Sequence, residues 1–99
     1  MGARDDFFDA IAVRERRRLL TALLEREDPV PIEELVQSCE AEEQSVRLLH
    51  THVPKLEENG YVEWKQEAQS LEKGPAFDEI RPALRMLREH EEALPNGWP

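Results

Sequence analysis

Apolar residues fall along the chain in four helical stripes and one alternating segment. From Phe7 to Glu27, Ile11, Leu19, Leu20, Leu23 and Leu24 share one broad face at helical spacing, and arginine and glutamate fill the rest. The spacing lapses across "RERRR" (residues 14–18), which allows a break near Val13–Arg14. "DPVP" ends the pattern, because proline lacks an amide donor and biases its predecessor away from helix. "PIEELVQSC" then reads as a short helix with Pro31 in its first turn and Glu33 and Glu34 at the positive end of its dipole. Ile32, Leu35 and Val36 form its buried face. A third helix starts near Glu42, where Val46, Leu49, Val53 and Leu56 recur at spacings of 3, 4 and 3. At about 100° per residue these four lie within an arc of roughly 80°. The stripe carries the helix through Pro54, with a kink costing roughly 3 kcal/mol. Gly60 or Asn59 supplies a left-handed cap.

"YVEWKQ" alternates with the period of a strand, "SLEK" returns, and "GP" closes the pair. Phe77, Ile80, Leu84 and Leu87 mark a last amphipathic helix. With Pro82 in its first turn, that helix would start near Arg81. The expected fold is therefore mainly α with a small β-hairpin wing, in the order helix, helix, helix, hairpin, helix. It forms one domain over residues 7–93, with tails at 1–6 and 94–99, and Trp98 either packs on the body or stays free. The short connection between the second and third helices has helix-turn-helix spacing, and the hairpin follows as a wing.

Composition adds constraints. Ninety-nine residues suffice for one modest core. No apolar run is long enough to span a bilayer, and "MGARDDFFDA" has acid where a secretory leader would be greasy, so a cytoplasmic location is expected. Cys39 is the single cysteine, which rules out an intrachain disulfide. Twenty-two acids against 13 bases give a net charge of −9, a surface of the kind found on proteins of salt-loving archaea or on an ordinary acidic bacterial domain. At molar salt the screening length falls to about 3 Å.

"AVRERRRLLTALLEREDPVPIEELV" followed by "LLHTHVPKLEENGYVEW" resembles the winged helix-turn-helix domain of predicted transcriptional regulators of salt-loving archaea, an ArsR/MarR-like winged helix with an H-x-H-x-P-K-L core. The resemblance covers about Phe8 to Leu87. It implies a sequence-specific DNA-binding regulator with the third helix in the major groove. Two departures stand out: the wing, with Glu63, Glu67 and Glu72 against Lys65 and Lys73, is not basic, and the last helix has no matching motif.

The paired histidines, His50 and His52, are the first candidates for chemistry. Two positions apart on a helix they point about 200° apart, so they cannot converge on a metal. No nucleophile elbow, phosphate loop or other catalytic spacing is present, so neither an enzyme nor a metal or cofactor is expected. The histidines border the apolar stripe, and His52, alone or together with His50, is expected to buttress the kink at Pro54. The opposite face carries Gln44, Arg47, Leu48, Thr51 and Lys55. There arginine can pair with guanine, glutamine with adenine, and Thr51 and Leu48 can touch thymine methyls. Ser45 and wing Lys65 are candidates for phosphates, as are Arg16, Arg17 and Arg18 for the backbone. Phe77, Ile80, Leu84 and Leu87 form a seam suited to a homodimer or to packing on the first helix.

Against DNA stands the charge: residues 41–60 carry −2, and phosphate binding weakens steeply with salt. Three readings stay open: a homodimeric regulator on double-stranded DNA, a module binding a protein partner through the acidic face of Glu33 and Glu34, and a dimerisation or sensing module without DNA.

Overall fold

The computed structural model describes residues 2–37, 39–95 and 98–99. It is mainly helical with a small three-stranded antiparallel sheet. Parts of the expected second helix and of both tails (Ser38, Met1, Asn96 and Gly97) lie outside the described residues.

The long N-terminal stripe divides where its spacing lapses. Helix α1 runs Ala3–Ile11, starting four residues before the expected domain boundary, and α2 runs Arg14–Glu25, with Val13 extended between them. Arginines of α2 close the exposed end of α1. Arg16 donates from Nε to the Ala10 carbonyl at 3.0 Å and from Nη2 to the Asp9 carbonyl at 2.8 Å; Arg17 Nη1 donates to the Ile11 carbonyl at 2.7 Å. Cations at a helix C-terminus satisfy orphan carbonyls and meet the negative end of the dipole. Leu19, Leu20 and Leu23 continue the same buried face of α2 below Arg16.

Strand β1, Val30–Pro31, has no counterpart among the sequence expectations. It pairs with β3 through Val30↔Leu71 and Pro31↔Ser70 and turns the hairpin into a sheet of order β1-β3-β2. Proline is tolerated because β1 is an edge. Helix α3, Ile32–Gln37, follows at once and buries Leu35.

The third helix is composite. It begins as α4, Glu42–Arg47, passes through a π-helical turn over Leu48–His52, and resumes as α5, Val53–Glu58. The Val53 amide reaches back five residues to the Leu48 carbonyl. Pro54 has no amide to offer the His50 carbonyl, so the regular bond ladder cannot run through this turn, and the wider i→i+5 turn takes its place. The expected kink is thus expressed as a change of winding. Its consequence is large: the extra residue per turn rotates everything on one side of it relative to the other. Val46, expected in the core stripe, is 51% exposed, and Leu48, expected on the outer face, is 4% exposed.

Helix α5 ends as the sequence suggested. Gly60 takes φ +81°, its amide bonds the Glu57 carbonyl at 3.0 Å, and the Tyr61 amide bonds the Leu56 carbonyl at 3.0 Å. Leu56 and Tyr61, the apolar pair across this Schellman cap, are both buried. Strands β2, Val62–Lys65, and β3, Ser70–Lys73, form the hairpin in the register Trp64↔Leu71. Its exit packs on the cap: a Cβ on Gly74 would overlap the Gly60 carbonyl, so this contact requires glycine.

Helix α6 spans Phe77–Glu89 with Pro82 inside it rather than in its first turn. Phe77, Ile80 and Leu84 are 1%, 4% and 5% exposed, and the helix packs against α2. The seam suggested for a homodimer is therefore used by the chain's own core; Leu87 alone of the four is half-buried. Trp98 packs on the body, with the Arg17 guanidinium 4.8 Å over its ring.

Candidate nucleic-acid interface

The sequence candidates separate into side chains occupied within the fold and side chains left exposed. Arg16 is 5% exposed and fully engaged, and Arg17 is held by the Ile11 carbonyl, the Pro99 carbonyl and Trp98. Burial lowers the Arg17 pKa, though a guanidinium stays charged in any case. Both were candidates for the DNA backbone; in the fold their guanidinium groups are bonded to the carbonyls that end α1. Arg18 is half-buried beside Gln44, Leu35 and Leu48 in a cleft between α2 and the composite helix.

Gln44 is half-buried and its Oε1 accepts the Glu40 amide at 2.9 Å, so it braces the turn that enters α4. Ser45 is half-buried as well. Leu48 belongs to the core and does not offer a methyl contact on the outer face, because the π turn places it inward. Lys55 reaches the Asp9 carboxylate at 2.6 Å. That hydrogen bond, helped by the lysine charge, holds the Asp9 carboxyl below its usual range. On the wing, Lys65 lies 2.9 Å from Glu63 and 3.6 Å from Glu72, and the Glu63 contact raises its pKa. A lysine clasped by two carboxylates is a weak partner for a third anion.

Arg47 and Thr51 remain exposed as expected. Arg47 is in no ion pair or hydrogen bond among the described residues. The π turn brings two further residues to the same face. With a little over four residues per turn, i and i+4 stack almost in line. Val46 thus joins His50, and Arg47 joins Thr51, on the outside, while Leu48 and His52 stack on the inside. Val46 and His50 were missed by regular helical geometry. The signal for them was Pro54, which announces a broken ladder but not its direction.

The two histidines accordingly have opposite fates. His50 is exposed; His52 is 6% exposed, with Nδ1 at 3.2 Å from Arg16 Nη1. Burial first, then the Arg16 charge, lower the His52 pKa. Among the described residues no group of three His, Cys, Asp or Glu side chains is placed to hold a metal ion.

The outer face is small and its surroundings are acidic: exposed Glu42 and Glu43 precede it and exposed Glu57 and Glu58 follow it. No helix among the described residues is long and apolar enough to cross a membrane. No curated protein and no solved structure matches the chain significantly. A family model does match, over residues 8–72, from α1 into β3, and the chain belongs to that family, the Domain of unknown function (DUF7344).

Proposed function

We propose that the chain is a winged helix-turn-helix DNA-binding domain of a transcriptional regulator, with the composite helix entering the major groove. The observation that carries this reading is the exposed patch of Val46, Arg47, His50 and Thr51 on the helix that follows α3 and precedes the hairpin. Arg47, without an intramolecular partner among the described residues, is suited to two hydrogen bonds with guanine, and the methyl groups of Val46 and Thr51 to a thymine methyl. The local charge limits non-specific attraction, so specificity rests on base contacts rather than on a broad phosphate footprint. In molar salt the acidic flanks are screened within a few ångströms, which removes much of their repulsion.

Selection from random-sequence duplexes, followed by fluorescence anisotropy across a salt series, tests this reading. Enrichment of a defined motif supports it; no preferred sequence at any salt overturns it. Light scattering on the same samples gives the copy number, and any dimer must use a surface other than Phe77, Ile80 and Leu84.

A protein-binding module is the second reading. Lys65, held between Glu63 and Glu72, favours it, since a wing that tracks phosphate needs an available cation. Retention of a defined protein partner, lost on reversing Glu33 and Glu34 to lysine, with no DNA preference, would select it.

A further inference from the structure

His52 and Arg16 form a buried contact between the composite helix and the start of α2. Arginine keeps its protons, so Arg16 is the donor and His52 Nδ1 the acceptor. The ring is then neutral, with its hydrogen on Nε2. The same guanidinium holds the Ala10 and Asp9 carbonyls, so one buried group ties α1, α2 and the π turn together. Leu49, His50 and Thr51 of that turn face outward or half outward, which leaves His52 as its one polar side-chain anchor among the described residues.

We propose that His52 is a positioning residue, holding the outer face of the composite helix in register only while its ring is neutral, and that acid releases that face. Protonation places a hydrogen on Nδ1 opposite an N–H that cannot turn into an acceptor, and sets two positive charges side by side in a buried place. The charged groups around the ring are Arg16 and Glu15 on α2 and Arg47 on α4; Asp9 on α1 acts at one remove, through its carbonyl on Arg16 and its carboxylate on Lys55. Glu15 favours the charged ring, while burial, Arg16 and Arg47 oppose it, and the opposition prevails. With the polar anchor lost, Leu48 alone holds the inner side of the π turn, and Val46, Arg47, His50 and Thr51 lose their fixed register.

The contact stands whatever the outer face binds; only its consequence for DNA rests on the function proposed above. Nitrogen NMR of the full chain through an acid titration is the first test. The expected result is an Nε2–H tautomer for His52, protonation below the ordinary histidine value of about 6.5, and amide shifts at Arg47 and Thr51 that follow His52. The unfolded chain binds the extra proton first, so the folding equilibrium constant falls as pH drops below about 6.5, by at most about tenfold per unit, until the folded ring is protonated too. His52→Gln offers Arg16 an uncharged acceptor and should abolish both acid responses. A hydrogen on Nδ1, or amide shifts that persist unchanged in His52→Gln, overturns the proposal. If that variant does not fold, the wild-type tautomer and the agreement of its titration curves decide alone.

Anisotropy with selected duplexes at about pH 7.5 and about pH 5.5, either side of the ordinary histidine value, separates the two claims. Weaker acid binding in wild type but not in His52→Gln supports both. Amide shifts that track His52 without DNA binding at either pH uphold the positioning role and sink the DNA reading. DNA binding with silent amides does the reverse.

Discussion

The arginines at the start of α2 and the arginine of the composite helix look alike in the sequence and differ in the fold. Arg16 and Arg17 lie in the most basic segment of an acidic chain, yet both are bound to the carbonyls that end α1. Arg47 lies among glutamates, yet it is exposed and without a partner among the described residues. The charge of a segment therefore says little about which cation is available. Availability follows from what stands nearby: an uncapped helix end consumes arginines, and a helix face turned to solvent leaves one over.

Removing Arg16 should have the largest effect. Arg16→Ala strands two carbonyls and His52 Nδ1, at least one of them fully buried, and we expect a loss of about 4 kcal/mol in denaturant unfolding. Arg16→Lys should recover little, since a single ammonium cannot reach three acceptors as the planar fork does. A loss under about 1 kcal/mol for Arg16→Ala would mean that the guanidinium is not bound as described.

Next comes the rotation made by the π turn. Leu48→Ala should cost about 3 kcal/mol and Val46→Ala no more than about 0.5. A regular helix with Val46 in the core predicts the opposite order, so the pair of denaturation curves distinguishes the two windings. For function the contrast reverses. Arg47→Ala should leave stability within about 0.5 kcal/mol of wild type and relax base preference at one position by about 2 kcal/mol in competition binding. A uniform loss of affinity across sequences would instead assign Arg47 to a phosphate.

These outcomes also mark what the residues disclosed before the fold was known. The break at Val13, the hairpin and the glycine cap were legible because each depends on neighbours within a few positions. The other features depend on partners far along the chain. Two-residue β1 exists only because β3, some 40 residues later, lies beside it, and Pro31 suits a helix start equally well. The role of Arg16 depends on α1 folding back against α2. Pro54 lies between these cases: its missing amide can be read locally, but whether the helix kinks or winds into a π turn depends on which side chains the core accepts, and the core accepts Leu48 and His52. The same dependence explains α6. The stripe Phe77, Ile80, Leu84 was clear, but only packing against α2 settles that it faces inward.

The smallest effect comes from the exposed ion pair between Asp9 and Lys55, and it sharpens the contrast because it adjoins the buried contact. Asp9 has its carbonyl on Arg16 and its carboxylate on Lys55, so one residue reports on both environments. Its folded pKa lies below the ordinary value, so its contribution is fully present above the unfolded carboxylate range and is lost as pH falls through the folded value. Asp9→Asn should therefore differ slightly from wild type at neutral pH and converge with it below about pH 4. The Arg16–His52 contact fails in a separate window, below about 6.5. Salt separates the two as well: an exposed pair is screened at molar concentration, whereas a buried hydrogen bond is not. Thermal unfolding of wild type and Asp9→Asn at low and molar salt should thus give curves that merge in high salt, while the deficit of Arg16→Ala persists. If the Arg16→Ala deficit also vanished in salt, its guanidinium would be acting as a surface charge, and α2 would offer cations to a partner after all.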